Sequence, residues 1–227
     1  MKSKMQLLGS VLMGQTPPRA LLWAASGMLH RVLKTGDRRS EFERLYLEDP
    51  DPWSFHTSDY EKRKYRRVLD AALAWRRGAD SALEIGCSIG VFSKALAGHF
   101  GRVTGTDIAG EALRLAARDT RELTNLRFVR GTLETLALGE RHDVIFCAEI
   151  LYYIAKEQAE TVCRKLDEHL SPRGIVITVS HVPDGREETY TVQDWDSVLG
   201  VHFQRLSLED VPDAYRPYRI VVYACKP

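Results

Sequence analysis

The run Ser81-Ala-Leu-Glu-Ile-Gly-Cys-Ser-Ile-Gly-Val-Phe-Ser93, followed by Thr104-Gly-Thr-Asp107, constrains this chain's fold more than any other feature. An apolar stretch enters a glycine turn, a helix-forming stretch leaves it, and a second apolar stretch ends on a carboxylate. In an α/β sheet that layout builds half of a nucleoside site. The glycines admit backbone N–H groups to the ligand, and the carboxylate accepts hydrogen bonds from ribose hydroxyls. Asp107 lies about twenty positions beyond Gly86, the separation such a carboxylate needs.

The same run discriminates between nucleosides. A dinucleotide turn places a glycine where the backbone touches the pyrophosphate, and this chain has Ser88 there. Its Cβ would crowd a phosphate, so a nicotinamide oxidoreductase is disfavoured. Glu84 would repel a pyrophosphate but favour an ammonium and a sulfonium. S-adenosyl-L-methionine carries both, together with adenosine. Glu84-x-Gly86-x-x-x-Gly90 with Asp107 resembles the motif of class I S-adenosylmethionine-dependent methyltransferases. The resemblance implies a cofactor site built from Glu84, Gly86, Cys87, Gly90 and Asp107. In many such enzymes the third strand ends in Gly-Asp, whose aspartate reads the adenine amino group. Here the corresponding residues are Gly131-Thr132-Leu133, so the adenine is expected to lean on Thr132, Ile108, Leu133 and backbone groups.

The rest of the pattern agrees with an α/β fold. Strands are expected over 82–86, 102–108, 126–131, 143–149 and 175–180. Helices are expected from Ser58 to before Gly78 and over 91–100, 110–118, 156–170 and 192–199. Late strands over 202–208 and 218–225 suit an antiparallel pair. The alternation predicts a doubly wound, mostly parallel seven-stranded sheet with an antiparallel C-terminal strand and N-terminal helices. At 227 residues and 44% apolar, the chain suffices for one large core. A net charge of +1 gives no global attraction to nucleic acid. The four cysteines are scattered, which suits a reduced, cytoplasmic compartment.

Residues 1–50 read as a basic amphipathic extension before a methyltransferase domain over 51–227. Leu21, Leu22, Ala25, Met28, Leu29, Val32 and Leu33 share one side of a helical pattern, with His30, Arg31 and Lys34 off it. Such a helix packs on the core as a lid, docks on a membrane surface or partner protein, or belongs to a cleaved leader.

Two positions suit chemistry at the carboxyl ends of central strands. Glu149, in Cys147-Ala-Glu149-Ile-Leu-Tyr152-Tyr153, is placed to hold an amine or balance the sulfonium, and the adjacent tyrosines offer π-faces or ordinary packing. His181 has the titration range of a general base, though a lone histidine also serves structure. Upstream, Asp51-Pro-Trp-Ser-Phe-His-Thr-Ser-Asp-Tyr-Glu-Lys-Arg-Lys-Tyr65 joins two aromatic clusters to a basic helix start. With Leu-Glu-Ile-Gly-Cys-Ser-Ile-Gly and Glu-Ile-Leu-Tyr-Tyr downstream, it resembles the NodS-like methyltransferases, from Asp51 to His181. Residues 1 to about 45 look like an extension that family does not need. That family methylates the free amine of a chitooligosaccharide. The resemblance implies that Trp53, Tyr60 and Tyr65 line the cofactor site and that Lys64 meets the cofactor carboxylate.

Methyl transfer is an in-line displacement, so alignment supplies much of the rate. An amine acceptor needs only a place to lose its proton, whereas a hydroxyl needs a base. No sequence cluster suits a metal that would activate a hydroxyl. The residues therefore point to N-methylation of a small amine, on a saccharide, with Glu149 or His181 taking the proton. The alternatives are O-methylation with His181 as base and a non-catalytic cofactor-binding assembly subunit.

Overall fold

The computed structural model describes residues 37–181, 191–213 and 216–226. The amphipathic pattern over 21–34, with its lid, membrane or partner contact, lies outside them. Among the described residues two helices precede the sheet, α1 (Arg38–Glu48) and α2 (Asp59–Trp75). There follow β1 (Ser81–Ile85), α3 (Val91–Ala97), β2 (Arg102–Asp107), α4 (Gly110–Asp119), β3 (Leu126–Arg130), β4 (His142–Ala148), α5 (Ala159–His169), β5 (Leu170–His181), α6 (Val192–His202), β6 (Phe203–Val211) and β7 (Tyr218–Cys225). The strands form one seven-stranded sheet in the order β3-β2-β1-β4-β5-β7-β6. The first five strands pair in parallel, and β7 runs antiparallel between β5 and β6. The strand order reverses between β1 and β4, which opens a crevice at their carboxyl ends.

The central strands are buried on both sides, and alternation along each strand divides the core in two. Leu83, Ile85, Ile145, Cys147 and Val176 join α5 and α6 residues such as Val162, Leu166, Trp195 and Leu199 on one face. Ala82, Val103, Val144, Phe146, Ile175 and Ile177 meet Val68, Ala72, Phe92 and Leu96 of α2 and α3 on the other. Glu84 shares the face of Ala82, and so lies toward α3.

Three departures from the sequence expectation have a clear local cause. β5 begins at Leu170 because Leu170 already pairs with His142, before a register shift. The helix expected over 156–170 opens as a separate 3₁₀ turn at Lys156–Gln158. Helix α1 has no counterpart in the sequence reading, because only Leu45 and Tyr46 are buried in it and the rest carries no apolar stripe. It is capped by Asp37, whose side chain accepts the Ser40 N–H at 3.1 Å. It is docked by Glu43, which accepts N–H groups from Gly110 (2.6 Å) and Glu111 (3.1 Å) at the positive end of α4.

Candidate active site

A cavity of about 490 Å³ opens at the carboxyl ends of β1, β2 and β4, roofed by α1, the start of α2 and the segment between them. Its size suits a drug-sized ligand. Of the residues singled out by sequence, Trp53, Tyr60, Lys64, Tyr65, Glu84, Gly86, Cys87, Asp107, Ile108, Thr132, Leu133, Glu149 and His181 line it. Gly90 does not, and its role here is packing. It takes φ +76°, and a Cβ there would lie 2.9 Å from Ala116 and 3.0 Å from Phe128.

The β1 end is built mostly by backbone. Gly86 (φ +73°) and Ser88 (φ +52°) both adopt the left-handed conformation. A Cβ on Gly86 would collide with the Ile150 side chain. The Asp107 carboxylate accepts the Ser88 N–H on one oxygen and the Ala109 N–H on the other, each at 2.9 Å. Burial pushes its pKa up to about 6 against those hydrogen bonds. Each oxygen keeps a lone pair for a ligand hydroxyl. Glu84 is buried, accepts the Ser93 hydroxyl, and is pushed up to about 8 by desolvation. Ser88 is held from above by α1, its hydroxyl sharing a 2.6 Å hydrogen bond with the Tyr46 hydroxyl. Trp53 Nε1 donates to the same Tyr46 oxygen at 3.2 Å.

The β4 end is built by charged side chains from four elements. Glu149 follows β4 with φ +59°, a left-handed conformation that costs a non-glycine residue about 1 kcal/mol. Its carboxylate meets Lys64 Nζ at 3.2 Å, His181 Nδ1 at 3.0 Å and Arg216 at 3.7 Å. Burial raises its pKa, but Lys64, Arg216 and His181 outweigh that and hold it well below the ordinary carboxylate range. It is therefore a poor proton acceptor but a firm anchor for the His181 ring. Lys64 is itself buried, bonded to Glu61 and 5.0 Å above the Tyr60 ring. Desolvation lowers its pKa, while Glu149 and Glu61 raise it further and keep it protonated. Tyr60 donates to the Arg216 carbonyl at 2.9 Å, and Tyr65 stacks on Phe92 at 4.7 Å.

Sequence reasoning missed Arg38, Phe42 and Tyr46 of α1, and Arg216 from the segment before β7, all of which line the cavity. Phe42 and Tyr46 are one helical turn apart, the only signal that one face of α1 is partnered. Arg216 sits in no motif. Among the described residues no helix is long and apolar enough to cross a membrane.

Comparisons with known proteins agree on one family. The family model Nodulation protein S (NodS) matches residues 35–203, and so takes in α1, part of the stretch read from sequence as an extension. Nodulation protein S of Rhizobium tropici is 29% identical over 169 residues, 74% of this chain and 68% of that protein. The namesake from Bradyrhizobium diazoefficiens is 31% identical over 122 residues, 53% of this chain and 57% of that protein. The fold resembles that of N-methyltransferase NodS from Bradyrhizobium japonicum WM9 in complex with S-adenosyl-L-homocysteine, with a TM-score of 0.74 and 19% identity, over 83% of this chain and 99% of that one.

Proposed function

This chain belongs to the NodS family and is an S-adenosylmethionine-dependent methyltransferase acting on a small molecule, and from that premise we propose that its acceptor is the free amine of an amino sugar. The cavity fits the cofactor on its own chemistry: a buried Asp107 with lone pairs to spare, a buried Glu84 raised by desolvation, and a turn at Gly86 that excludes any side chain. When bound, the cofactor supplies an electrophilic methyl group on a sulfonium. Asp107 would hold the ribose and Glu84 the ammonium, with Ile108 and Leu133 against the adenine; Lys64, expected to meet the cofactor carboxylate, is already paired with Glu61 and Glu149.

The observation that carries the acceptor reading is the Glu149 cluster. A carboxylate on strained backbone, aimed among Lys64, His181 and Arg216, orients an imidazole at the end of β5. With Nδ1–H donating to Glu149, the other imidazole nitrogen, 3.1 Å from the Arg216 guanidinium, would receive the acceptor's proton once that guanidinium gives way to the substrate. The aromatic walls Trp53, Tyr60 and Tyr152 suit a sugar ring or a cationic amine. The same His181–Glu149 pair would also serve a hydroxyl acceptor, which makes sugar O-methylation the second reading.

A labelled-methyl transfer assay separates the two. Glucosamine oligosaccharides with a free amine are expected to be methylated, and their fully N-acetylated counterparts are not. Label appearing only on the acetylated sugars would reject amine methylation.

A further inference from the structure

The adenine end lacks a carboxylate at the position after Gly131, where Thr132 offers only a neutral hydroxyl. Its hydroxyl is 3.0 Å from the Thr135 hydroxyl, which also accepts the Thr132 N–H at 3.2 Å, so both close the 3₁₀ turn at Leu133–Thr135. The next acidic group is Glu134. It lines the cavity beside Ile108, Thr132 and Leu133, and its side chain is only 6% exposed.

Glu134 is placed from a distance. Arg38 on α1 donates one guanidinium nitrogen to Glu134 Oε1 at 2.5 Å and another to the Tyr153 carbonyl at 2.8 Å. Tethered to two turns, the guanidinium fixes where the carboxylate sits. Among the described residues Glu134 Oε2 accepts no hydrogen bond. That oxygen is not sealed from the cavity, which leaves it open to a ligand donor.

We propose that Glu134, positioned by Arg38, accepts the exocyclic amino N–H of the cofactor's adenine and so makes this site selective for a 6-aminopurine over a 6-oxopurine. The inference rests on the assigned cofactor and deepens it. It also gives α1 a function beyond covering the cavity, since the residue that sets the carboxylate comes from that helix.

The test compares calorimetric binding of S-adenosyl-L-homocysteine with that of its 6-oxo analogue, S-inosyl-L-homocysteine. A site that hydrogen-bonds a substrate amine rejects the analogue lacking it, and a charged acceptor facing a carbonyl oxygen rejects it further. The unaltered protein is expected to prefer the amino form by about 30-fold or more. Glu134→Gln, whose amide both donates and accepts, is expected to narrow the preference to about threefold. Arg38→Met is expected to narrow it as well, by releasing the carboxylate. Asp107→Asn should weaken both purines alike and leave the ratio intact. An unchanged ratio in a folded Glu134→Gln protein would overturn the proposal. Should that variant fail to unfold cooperatively, an unchanged ratio in Arg38→Met would overturn it instead. Failure of the unaltered protein to bind either purine would refute the cofactor assignment itself.

Discussion

The two ends of one cavity are made in different ways. The end beside β1 and β2 is mostly backbone: a glycine turn with no room for a Cβ, and a carboxylate whose position is set by two main-chain N–H groups. The end beside β4 and β5 is side chains: Lys64 from α2, Glu149 after β4, His181 closing β5 and Arg216 before β7. A backbone site can be specified within a short segment and holds its shape whatever surrounds it. A side-chain cluster gathered from four elements exists only once the whole sheet has formed. The first suits a constant ligand and the second a ligand that differs between relatives.

If that division is right, substitutions at the two ends should separate. The largest effect is expected for Gly86→Val, which forces a β-branched side chain into positive φ and into Ile150. It should cost about 3 kcal/mol or more of stability, read by denaturant unfolding, and abolish cofactor binding. Asp107→Ala should raise the KM for S-adenosyl-L-methionine by about 10- to 100-fold with the acceptor KM nearly unchanged, since it removes hydrogen bonds to a charged group. Glu149→Gln should do the reverse, lowering kcat about 10-fold or more while the cofactor KM moves by less than about threefold. Equal losses of cofactor affinity in both variants would break the division.

The smallest effect expected is on pH dependence. The Asp107 pKa of about 6 belongs to the empty site, and a ribose hydroxyl needs the ionised form. Affinity for S-adenosyl-L-homocysteine should therefore fall first as pH drops through about 8, where Glu84 takes up a proton, and again through about 6, the Asp107 step reaching up to about tenfold at pH 5. Asp107→Asn should flatten that limb of the titration curve.

The same contrast explains what could be read from sequence. Strand–turn–helix order and the places of Glu84, Gly86 and Asp107 at the cavity were legible because their spacing is local. Glu149 and His181 were legible as ends of apolar strands, though not their 3.0 Å contact, which depends on the β4–β5 register. Gly90 was assigned to the ligand; it does not line the cavity, and a Cβ there would crowd Ala116 and Phe128. Arg216 lay beyond reach because it belongs to an irregular segment fixed through Tyr60. Helix α1 escaped notice because its polar composition hides a two-residue buried face, although Glu43, Tyr46 and Arg38 tie it to three separate turns.

Isothermal titration of the purified protein with S-adenosyl-L-homocysteine, and separately with NADH, tests most directly whether the β1–β2 end was shaped for a sulfonium nucleoside. One-to-one binding of the homocysteine ligand with no heat from NADH is the expected result; saturable NADH binding, or none by S-adenosyl-L-homocysteine, would contradict it.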